Sequence, residues 1–591
     1  MRRQVNLVAT LALAAWIPAA YAAQPDPGID DESARRRTGP VEKRVLPPID
    51  PNAVEPPSPA LPRETIPMPD RWRLVDALGV RARWWDPYNQ NTLKADRPLW
   101  GNWFLNLGFV SDTLYEPRGV PTPVGNQGDF SGGRNDPFSD ADQTLFSQTV
   151  IGSVSLIEGD TAFRPPDVEL RFAPAFVFNR VAVSADRILD IDPRLGPTRK
   201  HTFVGLQEAF VDYHIRNVSD RYDFDSLRVG IQPVTLDFRG FLFQDQQLGA
   251  RIFGNRDNNR WQYNAGWFRR LEKDTNSGLN DVSRRPRKDD VFFANVYRQD
   301  FPIPGYTVEA IVAHNRNREG DEKSYYDTNG FLARPASIGG ERPSNYNVTY
   351  LGFNGDGHFG RFNLTHAVYG AVGSISANPF TSFFRDEPVH IRAWFAAVEP
   401  SLDFDWIRIR AQFLYASGDR DPFDRTAGGF DAILENPQFA GADTSYWVRQ
   451  SVPLVGGGGV ALSGRNGLLN SLRSSKDQGQ SNFINPGTVL LGGGVDVDVL
   501  PELRFSANIS HIAFANRAVI ETLRNELLHS NSIGWDVSAA AIYRPRFTQN
   551  AVVRLSGATL FGGAAFKDLF LVDDDNGRRF YSILLNLIFT Y

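Results

Sequence analysis

The chain has 591 residues, a formal net charge of -5 at neutral pH and no cysteine. The missing thiols exclude a disulfide scaffold, thiol catalysis, Cys-ligated zinc and covalently attached haem, and the mild negative charge does not point to nucleic acid. Aromatics are plentiful, with 42 Phe, 18 Tyr and 12 Trp, and this length suits either several soluble domains or one large barrel.

Arg2 and Arg3 precede an apolar run from Leu7 to Ile17, followed by Pro18 and Ala20-Tyr21-Ala22-Ala23. A basic end, a short apolar core and a small-x-small site predict a secretory signal peptide over residues 1–23. The run is shorter than the roughly 20 residues of a spanning helix. Residues 24–69 are rich in proline, including Pro25, Pro27, Pro47, Pro48, Pro56, Pro57 and Pro69. Such a segment has too few apolar side chains to offset its ordering entropy, so it reads as a disordered periplasmic tether. Residues 70–100, with Trp84-Trp85, are compatible with a latch, a plug of the lumen or an extra strand.

From Gly101 onward the chain falls into amphipathic runs of the length of a tilted membrane strand. They cover 101–114, 143–158, 166–182, 201–216, 223–236, 246–254, 260–271, 289–300, 305–316, 346–356, 360–374, 388–400, 405–417, 487–499, 502–514, 532–544, 548–562 and 578–591. Connections alternate between long ones, such as Gly418–Pro486, and short ones, such as Pro302-Ile303-Pro304 and Leu500-Pro501. Short turns on one side and long loops on the other predict an all-β fold, a transmembrane antiparallel β-barrel of about 18 strands (16–18) over residues 101–591. An even strand number places both termini on the same, periplasmic side. Within Asn516–His529, Val519, Ile520, Leu523 and Leu527 fall at helical spacing, which predicts a short helix in an external loop.

The last stretch, Gly577–Tyr591, is apolar or aromatic at Tyr581, Ile583, Leu585, Leu587, Phe589 and Tyr591. Alternation with Ser582, Asn586 and Thr590 gives one greasy and one mixed face. The stretch resembles the C-terminal strand of bacterial outer-membrane β-barrels. That resemblance implies recognition by the barrel-assembly machinery, contact with outer-membrane lipid and a place in the outer membrane of a Gram-negative bacterium.

Parity assigns the inward face. Arg408 and Arg410 oppose Ile407, Ile409 and Phe413, and Arg504 opposes the apolar face of its strand. Arg554 opposes Val553 and Leu555, and Arg392 opposes Ile391 and Phe395. Arg228 opposes Leu227 and Val229, and Arg171 opposes Leu170 and Phe172. An arginine facing lipid near the midplane costs about 2–4 kcal/mol, so these are expected to line the lumen. Acidic inward candidates are Glu169, Glu208, Asp212, Glu309 and Asp536. Either each arginine pairs with a carboxylate to fill the lumen, or an unpaired ladder selects anions by field and bidentate hydrogen bonds.

Two stretches, LRVGIQPVTLDFRGFLFQDQQLGARIFG over Leu227–Gly254 and LYASGDRDPFD over Leu414–Asp424, resemble alginate-export-type outer-membrane channels and related substrate-selective porins. The resemblance implies a conduit with a basic lumen closed by long loops. It puts Arg228, Arg251, Arg408 and Arg410 forward as lumen residues.

Other groupings carry other chemistry. Asp419, Asp421 and Asp424 are candidate calcium ligands, without the spacing of an EF-hand loop. His529-Ser530-Asn531 contains the residue types of outer-membrane phospholipases, with His and Ser adjoining rather than one residue apart. Gly456–Gly459 lacks the Lys-Ser or Lys-Thr of a phosphate loop and reads as a hinge. The expected function is therefore passive, substrate-selective passage of small or extended anionic solutes, without catalysis or cofactor. The long loop Gly418–Pro486 would narrow the pore. The alternatives are a barrel that docks or encloses a partner protein, and a barrel-embedded lipid hydrolase.

Overall fold

The structure, a computed structural model, describes residues 77–79, 83–86 and 91–591, except 123–126, 129–134, 137–141, 160–164, 185, 220–222, 336–342, 382–386, 456–459, 461–464, 548 and 571–579. The signal peptide, the tether and the glycine run Gly456–Gly459 lie outside the described residues.

The chain forms a closed antiparallel barrel of 18 strands. In order these are β1 Trp103–Gly119, β2 Asp142–Glu158, β3 Val168–Val183, β4 Thr198–Asn217, β5 Phe224–Thr235, β6 Gln244–Arg256, β7 Trp261–Arg269, β8 Asp289–Arg298 and β9 Tyr306–Arg318. They continue as β10 Asn345–Phe359, β11 Phe362–Ile375, β12 Val389–Phe404, β13 Ile407–Ala416, β14 Thr488–Leu500, β15 Leu503–Ala513, β16 Ser532–Tyr543, β17 Ala551–Gly562 and β18 Tyr581–Thr590. Every amphipathic run of the sequence became a wall strand, and β1 continues beyond residue 114 to Gly119. Each strand pairs with its neighbours in sequence, and β1 pairs with β18 from Val110↔Thr590 to Arg118↔Ser582. Closure leaves no open edge, which a hydrocarbon environment requires.

Period-two alternation builds the wall. On β18, Ile583, Leu585 and Phe589 are exposed on the outer face, while Ser582, Leu584, Asn586 and Ile588 are buried inside. The connections segregate as the sequence suggests. Gly360 and Arg361 alone link β10 to β11 at one end, whereas 319–344 and 417–487 span the other. The ends are called here the turn end and the loop end. A further short strand, Lys94–Trp100, pairs with β1 at the turn end, beside the seam. Helix α2, Ala518–Arg524, lies where the helical spacing predicts it, with Val519 and Ile520 buried. Helix α3, Ala564–Phe570, follows β17 and was not legible as a helix.

The principal departure from a hollow cylinder is the long connection 417–487. It folds into the bore and carries helix α1, Tyr446–Gln450. Its Phe430, Ile433, Leu434, Tyr446 and Trp447 are buried. They meet an apolar inner wall formed by Tyr350, Tyr369, Ile391 and Phe395. The Phe430 ring stacks on Phe395 at 5.1 Å and meets Tyr350 edge-on at 6.2 Å. Phe241, from the connection between β5 and β6, packs on Phe395 at 5.1 Å and on Phe439 at 5.5 Å. Each buried aromatic of this kind contributes about 1.5–3 kcal/mol of apolar burial. The largest hydrophobic core of the molecule thus lies inside the barrel at its loop end.

Candidate functional site

The inner loop is pinned to the wall by buried polar groups. On β16, Asp536 accepts from Ser445 Oγ at 2.7 Å, from the Trp447 amide at 2.6 Å and from the Tyr446 amide at 3.1 Å. On β1, Glu116 accepts from Arg449 at 2.7 Å, from Gln450 Nε2 at 2.7 Å and from Ser582 Oγ at 2.6 Å. On the facing side Asp245 of β6 holds Arg465 at 2.6 Å and Lys273 at 2.8 Å. Arg465 also binds Asp477 at 2.7 Å, and Arg473 binds Asp431 within the loop. These groups are almost wholly buried. Removing one partner of such a pair strands the other in a dry site, at a cost of about 3–5 kcal/mol. Anchors on β1, β6 and β16 hold the loop across the bore.

Towards the turn end the inner wall is polar and partly open. Most of the expected lumen arginines gather here, and each has a carboxylate. Arg408 binds Asp403 at 2.5 Å, Arg504 binds Asp498 at 2.6 Å and Arg410 binds Asp496 at 3.1 Å. Arg554 binds Asp443 of the inner loop at 3.1 Å. On the other side of the bore Arg228 binds Asp212 at 2.6 Å, and Arg171 pairs with Glu208 and approaches Glu169 at 3.9 Å. The paired alternative describes these arginines, and the wall they build is balanced in charge. Arg251 differs. It stands directly across from Arg228 in the β5–β6 register. Its guanidinium lies 5.0 Å over the Phe253 ring and forms no ion pair among the described residues.

Arg392 does not join this set. Ile391, Ala393 and Phe395 are its buried neighbours, and Arg392 shares the exposed outer face with Trp394. The parity rule assumes that apolar side chains face lipid. It inverts at the loop end of β12, because the bore there is filled by apolar protein.

The other candidates are local structure. Asp419 accepts from the amides of Gly428 at 2.7 Å and Asp421 at 3.1 Å, Asp421 from the Phe423 amide at 3.0 Å, and Asp424 from the Thr426 amide at 2.6 Å. Their carboxylates cap turns rather than converge, and no cluster fit for a metal ion occurs among the described residues. Burial pushes the Asp419 carboxyl up to about 7. Its proton is held more tightly in the folded loop than in an unfolded chain. The stabilisation this provides is complete below the ordinary value of 3.8 and is lost as pH rises through about 7. Protease nicking of the loop should therefore increase between pH 5 and 8, and Asp419→Asn should flatten that dependence. An unchanged pH profile in the variant would refute the assignment. His529 pairs with Asp568 at 3.0 Å, and Ser530 Oγ accepts from the Ser532 amide at 3.1 Å. No hydrogen bond joins the imidazole to the Ser530 hydroxyl among the described residues, so the hydrolase geometry is absent there.

The anchors Glu116, Asp245, Arg449, Arg465 and Arg473 were not singled out from sequence. The available signal was the apolar content of 430–454, too greasy for a solvated external loop.

No protein-family profile matches the chain, and no curated protein does so. The alginate-export resemblance gains no support from either. Its two stretches are the β5–β6 hairpin and the stem of the inner loop. Among solved structures, OccK7 (OpdD) of Pseudomonas aeruginosa aligns at 10% identity with a TM-score of 0.46, covering 82% of this chain and 98% of that one. OpdK of Pseudomonas aeruginosa with vanillate aligns at 12% identity and a TM-score of 0.44, and OccK9 (OpdG) of the same organism at 11% and 0.44, each covering 82% of this chain and 98% of its own.

Proposed function

We propose that the protein is a substrate-selective outer-membrane channel for small anionic solutes. The observation that carries this reading is the inner loop pinned across the bore above a charged, partly open wall. A closed barrel with an apolar outer face suits the outer membrane. The short turns and both described chain ends share one end of the barrel, and this reading takes that end as the periplasmic one by the same rule. The inner loop then sets which solutes pass, and the facing ion pairs offer hydrogen bonds in place of hydration water. Arg251 supports the anionic part of the reading, as an inward cation without an ion-pair partner among the described residues. Outer-membrane lipid and, through the C-terminal strand, the barrel-assembly machinery are the partners proposed with it. Residues 24–69 serve as a periplasmic tether after removal of residues 1–23.

Reversal potentials across a planar bilayer under a salt gradient test it. Anion preference is expected for the wild type. Changing Arg408 and Arg410 together to Gln leaves Asp403 and Asp496 without their ion-pair partners. Permeability should shift towards cations, more at low salt, where screening is weaker. Adding Asp403→Asn and Asp496→Asn should restore the original ratio. Cation preference in the wild type, or no shift in the double variant, would overturn the anionic reading. The depth of the inner loop also favours a sealed barrel that docks a partner. No wild-type conductance under any condition would select that second reading.

A further inference from the structure

The outer face carries cations that the channel does not use. Arg180 on β3, Lys200 on β4, Arg316 on β9 and Arg392 on β12 all point outward near the loop end, and all are exposed. None forms an ion pair or a side-chain hydrogen bond among the described residues. Arg180 stands directly opposite Lys200 in the β3–β4 register. Like charges so placed repel, so the pair weakens the wall unless an anion sits between or above them.

Their height is consistent. Arg180 is one outward position loopward of Phe178, and Arg392 is one such position loopward of Trp394. Arg316 lies one position above His314, whose register neighbour on β8 is Phe292. On β7, Arg269 lies one position above Trp267, but Asp290 of β8 already holds it at 2.8 Å. Outward aromatics mark the level of the headgroups. The free cations are therefore at phosphate height, above the apolar belt, where charge costs little.

The cations occupy one arc of the barrel, from β3 to β12. At the same height on β13 to β18 and on β1 and β2, the outward residues include Tyr415, Leu491, Trp535, Phe561 and Tyr115, with no Lys or Arg among the described residues. The outward face is polar along the register row of Arg316, while Arg392, one outward position turnward of that row, stands opposite the exposed Val372. Arg316 pairs in register with Asn347, and Asn347 with Ser374. Ser374 in turn faces the exposed His390. Strands are spaced about 4.8 Å apart, so β9 and β12 are separated by about 14 Å.

We infer that this arc binds a phosphorylated glycolipid of the surrounding leaflet. Two separated guanidinium groups fit two phosphates on one saccharide headgroup, each by bidentate hydrogen bonds. The hydroxyl and amide groups between them fit sugar hydroxyls. A single-phosphate lipid satisfies only one of the two. This inference rests on the membrane placement proposed above and not on solute selectivity.

The test uses the purified full chain in detergent, titrated with bisphosphorylated lipid A and followed by native mass spectrometry. Saturable binding is expected. Removing the phosphates of lipid A, or changing Arg180, Lys200, Arg316 and Arg392 together to Gln, should weaken it by about tenfold or more, as expected for lost charge-assisted phosphate contacts. Phosphatidylglycerol should bind less tightly than lipid A. The fourfold variant should keep the wild-type conductance and heat-resistant barrel band, because none of the four lines the bore. Equal binding of dephosphorylated lipid A, unaltered binding by the variant, or equal affinity for phosphatidylglycerol would each overturn the inference. Failure of the channel reading would show instead in the conductance of the wild type.

Discussion

Excising residues 430–482 and bridging the gap with a short Gly-Ser linker is expected to raise single-channel conductance several-fold and to abolish discrimination among solutes. The stem is already closed where the cut falls. The Gly429 amide donates to the Phe483 carbonyl at 2.8 Å, and the Asp419 amide to the Asn485 carbonyl at 2.8 Å. A few residues therefore span it without strain. The excision removes α1, with its hold on Asp536 and Glu116, and the packing of Phe430 on Phe395. It leaves the inter-strand hydrogen bonds of the wall intact. Those bonds are what a lipid-embedded barrel cannot lose. Ile391, Ala393 and Phe395 become exposed to water in the bore, so thermal stability should fall while the folded, heat-resistant band persists. A milder change, Asp536→Ala, removes the acceptor of three hydrogen bonds, each worth about 1.5–3 kcal/mol for a charged partner. It should produce flickering between low and high conductance. Wild-type conductance in the excised protein would mean that the loop does not control the path.

The second large effect is expected at the last residue. Tyr591 is tied to the segment before the first wall strand. Asn91 Nδ2 donates to its hydroxyl at 2.9 Å, that hydroxyl donates to the Trp84 carbonyl, and Lys94 Nζ sits 4.0 Å from the centre of its ring. Its backbone amide and carbonyl both pair with Phe109 of β1, at 2.8 and 3.1 Å. Tyr591→Asp keeps the backbone pairing and removes the ring. A cation over an aromatic contributes about 0.5–2 kcal/mol and each hydrogen bond about 1 kcal/mol. We expect a several-fold drop in assembled protein, with Tyr591→Phe intermediate because it keeps the ring and loses the hydroxyl. Quantifying the heat-resistant band in outer-membrane fractions checks the series. Equal yields for all three proteins would remove any role of the terminal side chain.

The wall was legible because its physics is local. Alternation along Tyr581–Thr590 or Ile407–Ala416 follows from each side chain facing either lipid or lumen, and turn residues such as Asn258 and Asn259 mark where strands end. The same rule puts arginines on the inner face only where the bore is partly open. Arg408 and Arg410 follow it, and Arg392 does not, because the residues opposite face apolar protein and not lipid. Trp394 carried the contrary signal, as an aromatic on the arginine's own face. The pairing of each arginine was not legible at all. Asp403 lies five residues from Arg408, but Asp496 and Arg410 are brought together only by the β13–β14 register, across the whole inner loop. The anchors of that loop are separated further still, Glu116 from Arg449 by 333 residues. No periodicity reports contacts of that range.

The seam has a consequence for how the protein comes into being. Asn586 Nδ2 donates to the Thr113 carbonyl across 473 residues of chain, and the whole β1–β18 ladder has similar separation. Every other ladder of the barrel joins strands adjacent in sequence, so a growing array of hairpins can accumulate one by one. The seam alone must wait for the final residues. Its entropic cost is the largest of any pairing in the wall, although it grows only logarithmically with the length enclosed. A chain truncated just before β18 keeps nearly all its hairpins and still presents two bare edges. Completeness is thus tested physically, at one place: an unfinished copy remains an open sheet, fit for degradation rather than for the membrane.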